Sequence, residues 1–273
     1  MADAGVDVNA AASARRFADG SPRNIRLDRF SLWARAAACV LAAACCCHAA
    51  AANEETEPLG AASTVVVVDE ALKSLYEDGI GALEKKDYPL ALKLLQKAAD
   101  EGHAQAQSAL AGMYLAGYGV PQSDDDALTW YRKAAHQEDA EALSKLGLMY
   151  VHGRGVPPDE SVAVELFRRA AERGDAAAQT NLGVMYLEGR GVDRNEEEAV
   201  NWMRQAAIQG ESLAADNLGL LFMEGLGVVK DEAEAAYWFR QAAESGSADG
   251  QIHFGLTYWE GRGVPRDDAE AVQ

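Results

Sequence analysis

Cysteine is absent from nearly all of this chain of 273 residues: Cys39, Cys45, Cys46 and Cys47 are the four it has. No disulfide or thiolate metal site can therefore form beyond that short stretch. Basic residues are also few, 25 Lys and Arg against 43 Asp and Glu, for a net charge of -18. The acid excess lies after Ala36, because the residues before it carry six arginines against four aspartates. Phosphate recognition needs a basic footprint, so nucleic acid is excluded as the expected partner. Catalytic signatures are missing as well. There is no HExxH motif or Cys/His cluster, and neither His152 nor His253 has a ligand partner at i+3 or i+4. No serine is followed by lysine three places on, which removes the nucleophile motif of penicillin-binding enzymes. The GxGV segments at Gly153 and Gly189 precede no Gly-Lys-Ser/Thr and follow no strand, so they read as helix-ending turns. No enzyme activity, metal or small-molecule cofactor is expected.

What the chain has instead is repetition. LAGMYLAGYGV at Leu110 recurs as LGLMYVHGRGV at Leu146, LGVMYLEGRGV at Leu182, LGLLFMEGLGV at Leu218 and FGLTYWEGRGV at Phe254, each 36 residues from the last. A fixed period of this size means stacked supersecondary units. Within a unit Leu143, Leu146, Gly147 and Tyr150 follow helical spacing and mark one buried face of a first helix, A. Gly153-Arg-Gly155 closes it and Pro157 prevents its resumption. Asp159 or Glu160 starts a second helix, B, whose Ala163, Leu166, Phe167, Ala170 and Ala171 face the first, and Gly174 stops it. Each helix is expected to run about 14 residues. Ala91, Ala127, Ala163, Ala199, Ala235 and Ala271 keep the same interval, small points where helices can approach, with Trp130, Trp202 and Trp238 filling the gaps beside them. An amphipathic hairpin cannot bury its face alone, so the expected fold is all-α, a solenoid of stacked antiparallel helix hairpins.

The pattern A-x-x-x-L-G-x-M-Y-x-x-G-x-G-V followed by A-x-x-W-x-x-x-A-A-x-x-G resembles the Sel1-like repeat family, a relative of the tetratricopeptide repeats, from about Asp69 to Gln273. The resemblance implies a right-handed α-solenoid that acts as a scaffold or adaptor, binding a protein or peptide partner in a concave groove lined by the A helices. Carried over by position, it places Lys145 and His152 on that groove, then Asn181, Val184, Leu187 and Glu188, then Asn217, Leu220, Met223 and Glu224, then His253, Leu256, Trp259 and Glu260. An asparagine amide can both donate to and accept from a peptide backbone, which singles out Asn181 and Asn217. Leu187, Met223 and Trp259 read as an exposed apolar track, and Glu188, Glu224 and Glu260 as an acidic edge. Family membership also leaves room for a structural subunit of a membrane-associated quality-control or assembly complex; an envelope hydrolase fits less well. The first unit departs from the pattern, with Lys85-Lys-Asp-Tyr88 in place of the glycine loop, and looks like an ordinary tetratricopeptide repeat. The last unit stops a few residues into helix B at Gln273, which suggests a fragment or a longer natural protein.

Ahead of the repeats, residues 1–52 form a leader with an uncharged apolar run at 36–52, directly after Arg35 and closing in small residues before Asn53. This is the layout of a secretory signal with an A-x-A cleavage point before Asn53; retained, it would anchor the chain in a membrane. An organelle transit peptide, a lipid-modified cysteine at Cys45 and a disordered tail are the competing readings. The expected location is outside the cytoplasm, in the periplasm or the secretory-pathway lumen. Residues 53–68 read as an acidic linker ending in Thr64 to Val68, and Asp69 as the cap of the first repeat helix.

Overall fold

The computed structural model describes residues 61–272, and the expectations placed on the leader and on the linker before Ala61 lie outside that range. The described residues form eleven α-helices and one 3-10 turn. In chain order they are α1 (Ala61–Glu84), α2 (Tyr88–Asp100), α3 (Ala104–Ala116), α4 (Asp124–His136), α5 (Ala140–His152) and α6 (Glu160–Glu172). Then follow α7 (Ala176–Glu188), α8 (Glu196–Ile208), α9 (Ser212–Glu224), α10 (Glu232–Glu244) and α11 (Ala248–Glu260), with the 3-10 turn at Glu270–Val272. Odd-numbered helices are the A helices and even-numbered ones the B helices. From α2 onward every helix is 13 residues long, one fewer than the spacing predicts.

Helix boundaries follow from capping. At the starts, Asp139 Oδ1 accepts from Ala142 N at 2.8 Å and Asp175 Oδ1 from Ala178 N at 2.6 Å, satisfying donors that the first turn leaves open. His103 does the same through Nδ1, which accepts from Ala106 N at 3.2 Å. At the ends, Gly117, Gly153, Gly189, Gly225 and Gly261 sit in the left-handed region that closes the A helices. The first helix departs from expectation. It begins at Ala61, so Asp69 lies inside it and does not cap it. No glycine or proline stands between Ala61 and Asp78, and nothing in the local chemistry stops a helix from propagating back through the valine run.

The hairpins from α5 onward are closed by the LG glycine of the A helix, and α3 carries Ala111 at that place. A Cβ at Gly147 would lie 2.7 Å from Phe167, and one at Gly183 would lie 2.8 Å from Met203, so the A and B helices meet at a distance only glycine permits. The alanine rows complete that contact: Ala91, Ala127, Ala163, Ala199 and Ala235 are fully buried. Hairpins are then joined by the second loop glycine, which explains why the turn motif carries two. Gly191 has φ +66, and a Cβ there would overlap the Glu160 carbonyl at the start of the preceding B helix. Its neighbour Arg190 pairs with Glu160 at 2.6 Å, and Arg154 pairs with Asp124 at 2.6 Å in the unit before. Glutamines repeat the link on the other side, Gln107 Nε2 donating to the Ala99 carbonyl at 3.0 Å and Gln179 Nε2 to the Ala171 carbonyl at 3.1 Å on the preceding B helices, while their Oε1 atoms accept from Gln137 and Gln209 of their own hairpins at 2.9 and 2.8 Å.

Where a glycine is missing from the pattern, ion pairs hold the strained residue. Glu138 takes φ 63 at a position that is glycine in the units on either side, and Arg169 and Arg173 each pair with it at 2.6 Å. Among helices two apart, those in closest touch are A helices: α1 with α3, α3 with α5, and α9 with α11. The A helices therefore line the inner side of the stack.

Candidate functional site

The inner face presents one strip of each A helix to solvent, and the register of the strip follows from packing. Leu182 and Met185 point into the core, so Val184 and the residues a turn away from it are left facing inward. Lys145, Val184, Asn217, Leu220 and His253 are half-buried on this face, and His152, Glu188, Glu224 and Glu260 are exposed along one edge. Asn181 is only 6% exposed, held between neighbouring helices, so Asn217 offers the more accessible amide.

The apolar track does not exist as expected. Leu187 and Met223 belong to the core, clustered with Phe222, Trp238 and Phe239, and only Trp259, at 52% exposure, faces water. The reason is stacking: the position that Trp259 occupies in α11 is covered in earlier units by the hairpin that follows. Ile252 and Leu256 are exposed on the same helix for the same reason. The acidic edge is partly neutralised within the chain, since Glu188 pairs with Arg190 at 3.2 Å and Glu260 with Arg262 at 3.0 Å.

His253 is engaged in a way the sequence did not suggest. Its Nδ1 lies 2.7 Å from Oδ1 of Asp216, a residue 4% exposed on α9. The pair joins two A helices and supplies the buried carboxylate with a partner. His152 stands apart from it; burial and the nearby Arg154 and Arg190 hold its pKa below the ordinary histidine value.

A second group of side chains escaped sequence reasoning altogether. Asp139, Asp175 and Glu211 precede consecutive A helices at the repeat interval, and Glu141 lies in the first turn of α5. Burial pushes the carboxyls of Asp139, Asp175 and Glu211 above the usual range. For Asp139 and Asp175 the cap bonds from Ala142 and Ala178 pull the other way. Burial takes Glu141 furthest, up to about 7, against the pull of Lys145 and reinforced by Asp139 and Asp175. Tyr76 on α1 is pushed up to about 12 by burial and by the same carboxyls. Glu141 is crowded by protein on most sides yet remains half-buried, keeping contact with water, as expected of a side chain on the inner face of a stack. The signal that could have found this group was in plain view: an acid at 139, 175 and 211, where the units before and after carry His103 and Ser247.

Helix hairpins stacked at a fixed interval, with a continuous inner face of A helices, define an α-solenoid repeat protein. The chain belongs to the Sel1 repeat family: the family pattern described as Sel1 repeat matches residues 71–103, 104–139, 140–175, 176–211, 212–247 and 248–273. The shortened first unit, read from sequence as an ordinary tetratricopeptide repeat, is thus matched as a Sel1 repeat too. Similar solved structures include c5321, a protective antigen of uropathogenic Escherichia coli displaying an SLR fold. It is 34% identical with a TM-score of 0.68, over 77% of this chain and 46% of that one. A Sel1 repeat protein from Oxalobacter formigenes is 33% identical with a TM-score of 0.68, over 72% of this chain and 79% of that one. The immunity protein Pa5087 of Pseudomonas aeruginosa, 22% identical with a TM-score of 0.50 over 73% of this chain and 75% of that one, shares the fold. The chain thus spans less than half the length of c5321. No curated protein matches it significantly. Sel1 repeat proteins are in general scaffolds for protein–protein interaction. Among the described residues, no helix is long and apolar enough to cross a membrane.

Proposed function

We propose that this protein is a non-catalytic adaptor that holds a protein or peptide partner against its A-helix face, and that it works outside the cytoplasm, in the cell envelope or secretory pathway. One observation carries the reading. The residues that recur from unit to unit are spent on turns and core, whereas one inner position of successive units passes from Lys145 through the two asparagines, Asn181 and Asn217, to His253. A surface that varies from unit to unit on an invariant frame is suited to selecting one partner along its length. Val184 and Leu220 supply apolar contact beside these residues, and Asn217, with Asn181 at its edge, supplies backbone-type hydrogen bonds. The location rests on the leader-like sequence before Asn53, and the name of the Escherichia coli relative as a protective antigen accords with export.

The test is partner capture followed by crosslinking and mass spectrometry, repeated with Asn181→Ala plus Asn217→Ala. Capture is expected to weaken while the circular dichroism melt stays cooperative. Unchanged capture, with crosslinks on the B helices, would move the site elsewhere.

A further inference from the structure

The joint between α9 and α11 breaks the repeat at two positions together. Where α9 has Asp216, the earlier A helices α3, α5 and α7 carry Ser108, Ser144 and Thr180. Where α11 has His253, the helices α5, α7 and α9 carry Lys145, Asn181 and Asn217. Thr180 donates its hydroxyl to the Ala176 carbonyl of its own helix at 2.9 Å, a bond that leaves nothing charged inside the stack. A buried carboxylate costs a fold more than such a hydroxyl, so packing gives no reason for Asp216.

What Asp216 does instead is hold a ring. Its Oδ1 lies 2.7 Å from His253 Nδ1, with Asp216 4% exposed and the His253 side chain 22% exposed. Phe239 of α10 packs against the imidazole with ring centroids 5.0 Å apart. A carboxylate oxygen only accepts, so the proton of the neutral ring sits on Nδ1 and the lone pair stays on Nε2. Nε2 makes no hydrogen bond within the chain and is not among the buried atoms that lack one, so it reaches solvent. The ring, clamped by Asp216 and Phe239, thus turns one acceptor atom to the inner side. Its counterparts in the row cannot do this: Lys145 only donates, and the asparagine amides donate as readily as they accept. The exposed Glu224 and Glu260 lie further along the same two helices, where an added carboxylate would meet like charge and an N–H group would not.

We infer that Asp216 is a positioning residue of the partner site: it fixes His253 with Nε2 as an acceptor, and the group received there is a backbone N–H of an extended partner segment. The inference rests on the adaptor reading and names the chemistry that reading leaves open at α11.

The test follows the full chain, labelled with nitrogen-15 in its histidine rings, by NMR at neutral pH, with His253→Asn to assign the signals. Nδ1 is expected to carry the ring proton and Nε2 none; a proton on Nε2 overturns the inference. The probes are acetyl-trialanine dimethylamide, its twin methylated on every backbone nitrogen, and acetate. The first should shift the Nε2 resonance saturably, and the twin and acetate should not. Equal shifts from the two peptides, or a shift from acetate, overturn the inference. Asp216→Asn keeps the shape but donates its amide N–H to Nδ1, which sends the ring proton to Nε2. This variant is expected to bind the first peptide about fivefold more weakly and to respond to acetate, a reversal that the loss of a merely structural contact does not produce. A response identical to that of the wild type overturns the inference as well. The variant buries an amide in place of a carboxylate, so its melt is expected to stay cooperative and a lost response is not a lost fold. Partner capture that survives Asp216→Asn but falls with Asn181→Ala plus Asn217→Ala would reject the acceptor at α11 and leave the adaptor reading standing.

Discussion

Glu141 makes the inner face pH-sensitive in a direction opposite to most acids. Burial raises its carboxyl from 4.5 to about 7 in the folded chain, so the protonated form is the one folding prefers. The sign follows from linkage. Stability from this group is fully present below the unfolded value, and it is lost as pH rises from 4.5 through 7. A tenfold difference in proton affinity between the folded and unfolded chain corresponds to about 1.4 kcal/mol, and allowing for the water that still reaches the half-buried carboxyl, the loss is roughly 1–3 kcal/mol. For a repeat array of this size that amounts to roughly 2–12 °C in melting temperature. Glu141→Gln replaces the carboxyl with a neutral isostere. At pH 4.5 variant and wild type are expected to melt together, and at pH 8 the variant should melt higher by that margin. Differential scanning calorimetry across the range gives the comparison, and Asp139, Asp175 and Glu211, shifted in the same direction, cancel between the two proteins. A variant that loses stability equally at both pH values would refute the reasoning, because the carboxyl would then be making favourable contacts in its charged form.

Three further outcomes follow from the packing. Gly174→Ala and Gly191→Ala both place a side chain at positive φ, but only the second meets the Glu160 backbone. The first is expected to cost about 1 kcal/mol and the second roughly 3 or more, measured by urea unfolding; equal losses would mean that the inter-unit contact is unimportant. Leu187→Ala should cost about 2–4 kcal/mol, as a core residue does, whereas Leu256→Ala on the uncovered face of α11 should stay within about 0.5 kcal/mol. His253→Ala strands Asp216 in a site where it is 4% exposed, and a loss of about 1–3 kcal/mol is expected; calorimetry showing no change would mean the carboxyl finds water instead.

Architecture was readable because it is written many times over. Most units carry the LG glycine and the two-glycine turn at the same interval, so errors in reading one copy are corrected by the next. Resolution failed where the copies stop agreeing or where a position depends on its neighbour. Leu187 and Met223 look like groove residues on a single helix; the following hairpin covers them, and periodicity within one helix cannot show that. Trp259 keeps its exposure because no hairpin follows α11 among the described residues. The start of α1 was missed for a different reason: Asp69 has the chemistry of a cap, but a cap acts only where propagation would otherwise halt. The acid row at 139, 175 and 211 was as periodic as the glycines. An acid on a turn is ordinarily solvated, and burial alone makes these carboxyls unusual.

The most direct test of the central claim is hydrogen–deuterium exchange on the chain with and without its crosslink-identified partner. Binding against the A helices predicts slower exchange in α5, α7, α9 and α11, strongest around Lys145, Asn217 and His253, with α6, α8 and α10 little changed. Protection confined to the B helices, or spread evenly over both, would contradict it.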